Sequence, residues 1–332
     1  MNDERLEAVN CDLCGSEEYD NVLVTKDYYN GIEGQFTIVR CKSCGLYYTN
    51  PRPKESRINE FYPDDAGYYQ PVLPDVKSSK FEKLKKILIN FYNYPGTKAN
   101  KIDKAILYLT YLLNKKNIAI QGIPYFDGKQ MLDIGCSYGG YLYKMRELGY
   151  DVEGVELNTK ASEYANKELK IKVHNISIDE FETDKKYDVV YMGMVMEHVL
   201  SVSRALKKIN SLLKKNGQLI FSIPDFNGLE RKIFGKYCYT LHMPAHITHF
   251  DEYSVKKYLN KNGFELVKIV HQKSPKDFIY SFKNMGEKNS FYLGVYKVLD
   301  NKFIRKLLIQ PVVSIISLFG KTSRMTVYAK KS

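Results

Sequence analysis

The amino-acid sequence predicts an α/β fold: a seven-stranded, mostly parallel sheet with helices on both faces, preceded by a small cysteine-bearing unit. Three observations predict it. Residues Gln130 to Asn158 have the pattern of strand, glycine turn, helix and second strand. From there onward, short apolar runs alternate with segments of helical spacing, the pattern of a parallel sheet. Four cysteines stand in two C-x-x-C pairs before residue 50.

The first element, residues 1–50, is predicted to be a zinc ribbon. Cys11 and Cys14 form one pair and Cys41 and Cys44 the other, each followed by glycine. Four thiolates in this spacing make a closed tetrahedral zinc site, whose role is structural because no coordination position stays open. A redox C-x-x-C pair or an iron–sulfur cluster is the alternative.

Residues 51–129 are predicted to be a proline- and tyrosine-rich linker followed by amphipathic helices. Asn50-Pro-Arg-Pro53 is a stiff, extended exit. Tyr68 and Tyr69 either cover a ligand or pack at an interdomain seam. Phe81 to Asn117 alternates apolar residues with lysines at helical spacing, which indicates either a solvated face or an anionic partner.

The central unit begins the predicted α/β domain of residues 130–332. Met131 to Ile134 is a short apolar strand, and the glycines after it allow a tight turn with bare backbone at the start of the next helix. Val152 to Val155 is a second strand that ends at Glu156, twenty-one residues after Gly135. A carboxylate at this point can accept hydrogen bonds from both hydroxyls of a ribose.

The remaining elements continue the alternation. Predicted strands are Ile171–Asn175, Tyr187–Met192, Gln218–Ile223, Phe264–His271 and Met325–Ala329, and predicted helices are Thr159–Leu169, Ser201–Leu213 and Glu252–Asn260. Ligands in such sheets bind at the carboxyl ends of the strands.

Composition narrows the class of protein. The 332 residues are 44% apolar and 27% charged, which is ordinary globular composition and excludes a disordered chain. The net charge of +12 and pI near 9.1 favour an anionic partner: nucleic acid, acidic membrane or phosphate-bearing substrate. A polar N-terminus, paired cysteines and no apolar run of about 18 residues predict a cytoplasmic protein.

The glycine turn resembles motif I of class I S-adenosylmethionine (SAM) methyltransferases, D-x-G-x-G-x-G. Asp133, Gly135 and Gly139 match it and Ser137 replaces the middle glycine, whereas the dinucleotide fingerprint G-x-G-x-x-G is broken. The blocks YDVVYMGMVMEHV, LLKKNGQLIFSIPD and HMPAHITHFDEYSVKKYLNKNGFELV look like those of the family that includes ubiquinone-pathway O-methyltransferases. The resemblance implies a Rossmann-like fold and SAM as cofactor.

The resemblance also implies roles for individual residues. Gly135 and its neighbours would approach the methionyl part of SAM, Asp133 would orient its amino group or a water, and Glu156 would hold the ribose. Ser177 and Ile178 would lie near the adenine. The complete implied cofactor set is Asp133, Gly135, Cys136, Ser137, Gly139, Glu156, Leu157, Ser177, Ile178, Met194 and Val195.

Transfer to a hydroxyl needs a general base, and histidine is the usual choice. His246 matches the second histidine of the family block and is the first candidate, with His198 second and His242 third. A packing role for these residues is the alternative. A metal site is disfavoured because no Asp or Glu lies among residues 242–249. If His246 is the base, the rate is expected to rise through one ionisation between about 6 and 7.5.

The front end looks like a subfamily found in bacterial polysaccharide and sugar-nucleotide gene clusters. The expected acceptor is therefore a hydroxyl or amine of a sugar or glycan-type small molecule, and its net charge is expected to be negative. The alternatives are an rRNA methyltransferase with a zinc ribbon, a sugar C-methyltransferase that lacks its extra C-terminal domain, and a non-catalytic SAM-binding protein. RNA binding would show a steep loss of affinity with salt.

A helical insertion is predicted at residues 274–322, before the last strand. Its segment Phe291 to Gly320 carries a large apolar load with Lys302, Arg305 and Lys306 beside it, and Pro311 is expected to split it into two helices. It packs on the sheet domain or at a dimer interface, or it contacts an anionic membrane peripherally.

Overall fold

The structure is a computed structural model, and it describes residues 3–62 and 129–332. The tyrosine pair Tyr68 and Tyr69 and the amphipathic helices expected between Phe81 and Asn117 lie outside the described residues.

The predicted seven-stranded, mostly parallel sheet is confirmed. Its strands are β6 (Gln130–Ile134), β7 (Asp151–Val155), β8 (Val173–His174), β9 (Tyr187–Gly193), β10 (Leu213–Pro224), β12 (Phe264–His271) and β13 (Arg324–Lys331). They lie in the order β12-β13-β10-β9-β6-β7-β8, and only β13 runs antiparallel to its neighbours. The order reverses between β6 and β9, which places the ligand-binding crevice of an open α/β sheet at the carboxyl ends of these two strands.

Five helices cover the sheet, and four of them, all except α4, form where the sequence predicts a helix. They are α1 (Gly140–Glu147), α2 (Thr159–Lys167), α3 (Val202–Leu212), α4 (Leu229–Phe234) and α5 (Glu252–Lys261). In α3, Val202, Leu206 and Ile209 are buried on one face, and the Ser201 side chain accepts from Arg204 N–H as the N-cap. In α5, the N-cap Asp251 forms a reciprocal capping box with Ser254.

The N-terminal unit shares a sheet with the α/β domain. Its elements are β1 (Leu6–Glu7), β2 (Tyr19–Thr25), β3 (Phe36–Cys41), β4 (Tyr47–Thr49), β5 (Arg52–Pro53) and a 3-10 helix (Glu55–Phe61). A further strand, β11 (Thr248–His249), follows the His242–His246 segment in the chain and completes the order β11-β4-β3-β2. The ribbon is therefore tied by backbone hydrogen bonds to the loop that carries the histidines, an arrangement that the sequence did not predict.

A second attachment uses Asp12, which lies between the first two cysteines. Its carboxylate accepts hydrogen bonds from the Ser201 hydroxyl at 2.6 Å, the Ser203 N–H at 3.0 Å and the Tyr258 hydroxyl at 3.1 Å. A carboxylate at the N-terminus of α3 also complements the helix dipole. The first cysteine knuckle is thus docked on the N-terminus of α3.

The helical insertion consists of α6 (Pro275–Met285), α7 (Ser290–Leu299), α8 (Lys302–Ile304), a π-helical turn (Arg305–Ile309) and α9 (Gln310–Leu318). The prediction that Pro311 splits the segment is wrong. The break falls at Asp300 and Asn301, where the Asn301 side chain caps α8, and Pro311 sits in the first turn of α9, where a proline is tolerated. Within residues 3–62 and 129–332, none of the helices has the length and hydrophobicity of a membrane-spanning segment.

Candidate active site

The glycine turn lies at the carboxyl end of β6. Gly135 has a φ of 71°, and its N–H donates to the Val155 carbonyl at 2.8 Å, which ties the turn to the end of β7. A Cβ on Gly135 would come within 2.5 Å of Cγ2 of Val195, so a side chain at this position would collide with the residue that follows β9. Gly135 and Val195, both predicted cofactor residues, are therefore in direct contact.

The other predicted residues of the turn have packing roles as well. Gly139 has a φ of 76°, and a Cβ there would meet Ala165 and Leu169 at 3.1 and 3.3 Å. Ser137 adopts a φ of 48°, a left-handed conformation that is uncommon outside glycine. Cys136 is buried, and burial raises the pKa of its thiol, so it is a neutral packing residue. The glycines that the sequence assigned to ligand approach are thus also required by the fold.

Glu156 bridges the turn and the second strand. Its Oε2 accepts from Ser137 N–H at 2.7 Å and its Oε1 accepts from Asn158 N–H at 2.8 Å. Burial raises the pKa of Glu156, although these backbone donors oppose the shift. Each oxygen keeps a further lone pair for a hydroxyl donor. Beside it, the Leu157 side chain is 69% exposed, an apolar surface at the crevice that an aromatic base could cover.

Asp133 lies beneath the turn at the centre of the sheet. Its side chain is 2% exposed, and burial, with the nearby charge of Glu156, raises the pKa of this carboxyl well above its usual range. An acid in this environment is favoured in its neutral form until a cationic partner arrives. The amino group of SAM would be such a partner, and this role of Asp133 stays a prediction.

Ser177 and Ile178, the residues predicted to lie near the adenine, both have contacts within the protein. The Ser177 hydroxyl donates to Glu180 at 2.7 Å, and Ile178 is buried in the main core. Their role toward an adenine stays a prediction.

Met194, at the end of β9, has a φ of 60° and donates its N–H to the Ser222 carbonyl at 2.8 Å. Strained backbone conformations of this kind are concentrated at functional sites. Here the conformation of Met194 directs Val195 toward Gly135.

The three histidines proposed as bases come together. The ring centroids of His198 and His246 are 4.6 Å apart, and those of His242 and His246 are 5.1 Å apart. His246 is 4% exposed. The segment between them contains a cis peptide bond, Met243-Pro244.

Glu197 belongs to the same cluster as the three histidines, and the sequence analysis did not predict this. It is fully buried, and its Oε1 lies 4.0 Å from Nε2 of His246. Within the described residues, neither carboxylate oxygen has a hydrogen-bond partner, nor does Nδ1 of His246. Burial raises the pKa of Glu197 to about 8. The available signal in the sequence was its position directly before His198.

The sequence argument against a metal among the histidines is therefore incomplete. Donor atoms of Glu197, His198 and His246 lie within 4.8 Å of one another. The acidic residue comes from the 3-10 helix Met196–His198 after β9, and packing rather than sequence proximity brings it to the histidines.

The burial of the three histidines shows that the ionisation expected for His246 from the sequence is wrong. It lowers the pKa of His198 to about 4 and of His242 to about 3, and it lowers the pKa of His246 well below its usual range. The three imidazoles are neutral at pH 7 and can accept a proton. An ionisation of His246 between about 6 and 7.5 is inconsistent with this environment.

His198 is held by the N-terminal part of the chain. Its Nδ1 lies 2.8 Å from the Tyr62 hydroxyl and 3.0 Å from the Ala245 carbonyl, and the Tyr62 hydroxyl donates to the same carbonyl at 3.1 Å. A proton on Nδ1 satisfies this arrangement and leaves Nε2 as the acceptor nitrogen. Tyr62 therefore orients the second candidate base.

The four cysteines of the ribbon converge. All four Sγ atoms lie within 4.8 Å of one another, with Cys11 and Cys44 3.4 Å apart and Cys14 and Cys41 3.5 Å apart. A tetrahedron of zinc–sulfur bonds of about 2.3 Å has sulfur–sulfur edges of about 3.8 Å. The donor set thus fits a tetrahedral zinc ion after small adjustments.

Known proteins resemble this chain in the segment that contains Glu156, Glu197 and His246. Residues 108–269, just under half of the chain, match the family model for a methyltransferase domain. The ubiquinone biosynthesis O-methyltransferase of Rickettsia typhi is 28% identical over 155 residues, which are 45% of this chain and 62% of that protein. The protein of the same name from Pelagibacter ubique is 34% identical over 93 residues, 26% of this chain and 39% of that one.

The chain thus spans about three fifths of the length of the Rickettsia relative. Among solved structures, a SAM-dependent methyltransferase from Archaeoglobus fulgidus aligns at 23% identity with a TM-score of 0.44, covering 69% of this chain and 100% of that one.

Proposed function

We propose that this protein is a SAM-dependent methyltransferase that transfers a methyl group to a hydroxyl, or an amine, of a sugar or glycan-type acceptor. The observation that carries the proposal is the contact between the Glu156 carboxylate and the Ser137 N–H. It brings the glycine turn and the acidic end of β7 together beside the point where the strand order reverses, within the segment that matches a methyltransferase domain.

Each residue at the carboxyl ends of β6 and β7 would bind a different part of the cofactor. Glu156 would accept the ribose hydroxyls, Leu157 would pack on the adenine, and Asp133 would receive the amino group. Val195, pressed against Gly135, would border the reacting methyl group. SAM supplies a methyl group already activated by its sulfonium, so the protein mainly aligns acceptor and methyl carbon.

His246 would take the proton from the acceptor as the new bond forms. Its Nδ1 has no hydrogen-bond partner among the described residues and is the nitrogen available for that proton, while Nε2 faces Glu197. An ionised Glu197 would stabilise the imidazolium that results, as a carboxylate does in a catalytic triad. Oxygen transfer agrees with the O-methyltransferase names of the relatives.

The acceptor class is supported by the wall of one of two narrow cavities. The first lies between the ribbon and the α/β domain, and its polar lining includes Lys26, Tyr29, Lys236 and His242. The second lies within the α/β domain, and its polar lining is Asp225, Arg231, Thr240, His246, Thr248 and His249. The hydroxyl, the imidazole and the two lysines of the first cavity suit a polar, anionic acceptor such as a sugar phosphate or an acidic glycan.

We further propose that the ribbon holds one structural zinc ion. Cys11, Cys14, Cys41 and Cys44 would supply all four ligands, which leaves the ion no catalytic position. All six cysteines lie in the described residues, and no two of them form a disulfide. This agrees with a reducing compartment, and we propose that the protein is cytoplasmic.

The proposed function is tested by incubating the protein with methyl-labelled SAM and separated cell fractions of glycan, lipid and RNA. Label in the glycan fraction, or in glycan-bearing lipid, supports the proposal. Label in RNA alone would replace the acceptor class, and label in no fraction by a protein that binds SAM would favour a non-catalytic SAM-binding protein.

A further inference from the structure

Helix α9 has its apolar side facing outward. Its buried residues are Val313, Ser314 and Ser317. Its exposed residues are the larger ones: Val312 at 53%, Ile315 at 57% and Leu318 at 73%. A surface helix of a water-soluble domain normally shows the reverse arrangement, with its large apolar residues against the core.

The buried serines explain how this orientation is tolerated on the inner side. The Ser314 hydroxyl donates to the Gln310 carbonyl at 2.6 Å, and the Ser317 hydroxyl donates to the Ser314 carbonyl at 2.8 Å. Because their hydroxyls are satisfied within the helix, burying them leaves no polar group unpaired. The small residues let the helix lie close to the domain while the large ones face outward.

The exposed apolar surface extends beyond α9. Val312, Ile315 and Phe319 are spaced three and four residues apart along α9 and its C-cap, so they share one helix face. Leu308, in the π-helical turn before α9, is exposed as well. Further exposed apolar side chains lie on α7, α8 and the π-helical turn: Phe291 at 68%, Val298 at 55%, Phe303 at 72% and Leu307 at 60%. We call residues 290–319 the apolar hairpin. So many large exposed apolar side chains within thirty residues mark an interaction surface.

The charges of the apolar hairpin are nearly all positive. Lys297, Lys302, Arg305 and Lys306 stand against a single acidic residue, Asp300, which is 3.4 Å from Arg305. The lysines are exposed. Large apolar side chains with basic residues beside them are the composition of a helix that lies in the interface of an anionic bilayer.

We propose that the apolar hairpin docks on an anionic lipid surface, lying in the interface without crossing it. The charges argue against two other partners for this surface, a second copy of the chain and residues 81–117 of the same chain. In a symmetric dimer through this face, two sets of the same basic residues would meet. Residues 81–117 carry eight lysines and only two acidic residues, so they too would bring like charges to it. An anionic bilayer satisfies both the apolar and the basic parts of the surface.

This docking would bring the bilayer to the acceptor side of the proposed site. Helix α6, which leads into the apolar hairpin, contacts the loop before His242: the Ser281 hydroxyl accepts from Tyr239 N–H at 2.9 Å, and the Asn284 amide donates to the Tyr237 carbonyl at 3.1 Å. Resting here on the proposed function, a lipid-linked acceptor is the substrate form that this geometry favours. The membrane contact itself does not depend on methyl transfer.

Vesicle flotation with the full chain tests the docking. Vesicles of phosphatidylcholine alone are compared with vesicles of equal parts phosphatidylcholine and phosphatidylglycerol. We expect binding to the second kind only, weakened more than about tenfold by Lys302→Glu with Lys306→Glu, since each basic residue near such a surface is worth about fivefold. Ile315→Ser with Phe319→Ser should also abolish it, whereas Val267→Ser, an exposed apolar position on β12, should not.

A spectroscopic measurement does not depend on these variants weakening binding. The chain has no tryptophan, so Phe319→Trp introduces a single reporter. Its emission should shift to the blue on anionic vesicles, and that of Tyr253→Trp, exposed on α5, should not shift. A folded protein that floats with neither kind of vesicle would overturn the proposal, as would a concentration-dependent dimer in which the emission of the Phe319→Trp variant shifts without lipid. Docking without methyl transfer would leave it standing and count against the proposed function alone.

Discussion

Oε1 of Glu197 lies 4.0 Å from Nε2 of His246, and the two side chains are buried together with no hydrogen-bond partner for either carboxylate oxygen among the described residues. Such a pair is costly to bury unless its partners arrive with a ligand. In the proposed mechanism, His246 is the base and Glu197 is the carboxylate that supports it.

The first prediction concerns Glu197 and pH. Because burial raises the pKa of Glu197 to about 8, its carboxylate forms only as the pH rises through that value. The rate of methyl transfer should rise through an ionisation near 8, as the ionised carboxylate begins to stabilise the His246 imidazolium. Glu197→Gln cannot ionise, so its rate profile should be flat across this range and its limiting rate lower by about 10²-fold or more. A Glu197→Gln profile identical to the wild type would show that another group titrates.

The second prediction concerns His246 itself. His246→Ala should lower the single-turnover rate by roughly 10² to 10⁴ and leave SAM affinity nearly unchanged. Retention of more than about a tenth of the rate would move the role to His198, whose Nε2 is left as an acceptor by the contacts of Nδ1 with Tyr62 and Ala245. Tyr62→Phe is then the matched test of that alternative.

The third prediction concerns the metal. Native mass spectrometry should find one zinc ion per chain, and Cys14→Ser or Cys41→Ser should lose it, while Cys136→Ser, outside the cluster, should keep it. Because Asp12 and β4 attach the ribbon to the α/β domain, loss of the metal should also increase hydrogen exchange at Ser203 and in β11. A metal-free wild type that folds with full protection in the ribbon would contradict the zinc site.

The fourth prediction concerns stability at low pH. His249 is buried, and its Nε2 lies 3.1 Å from the Thr49 hydroxyl, which donates to the His246 carbonyl and so receives the His249 proton. Burial lowers the pKa of His249 to about 3, so the unfolded chain binds a proton that the folded protein does not as pH falls below about 6.5.

The sign of this effect is a loss of stability on acidification. Between pH 7 and 5 it amounts to about 2 kcal/mol for this one histidine. His249→Gln keeps an amide donor without the titration, so its free energy of unfolding should fall by about 2 kcal/mol less than the wild type over that range. Equal pH dependence in urea titrations of the two proteins would contradict a neutral, buried His249.

Much of the fold was predictable because it depends on local patterns. The alternation of apolar runs and helical spacing predicts the seven-stranded sheet, and the spacing of Cys11, Cys14, Cys41 and Cys44 predicts their convergence. The predicted helices Ser201–Leu213 and Glu252–Asn260 begin within one residue of the observed starts of α3 and α5.

The relationships that were missed depend on contacts distant in sequence. Glu197 meets His246 because β11 pairs with β4 of the ribbon and because the Ile247 N–H donates to the Glu197 carbonyl at 2.8 Å. The outward face of α9 was not predictable either, since apolar content shows that a helix buries something but not which side of it the domain covers. The low pKa of His246 likewise follows from burial, which no local pattern reveals.

The most direct test of the central claim, that the Glu156 crevice binds SAM, is calorimetric titration of SAM into the wild type and Glu156→Ala. Removing the charged acceptor of the ribose hydroxyls should weaken binding by about 1.5 to 3 kcal/mol, or roughly 10- to 150-fold, with SAM still bound by the wild type. Glu163→Ala on the exposed face of α2 should bind as the wild type does. No SAM binding by the folded wild type, or equal affinity in Glu156→Ala, would contradict it.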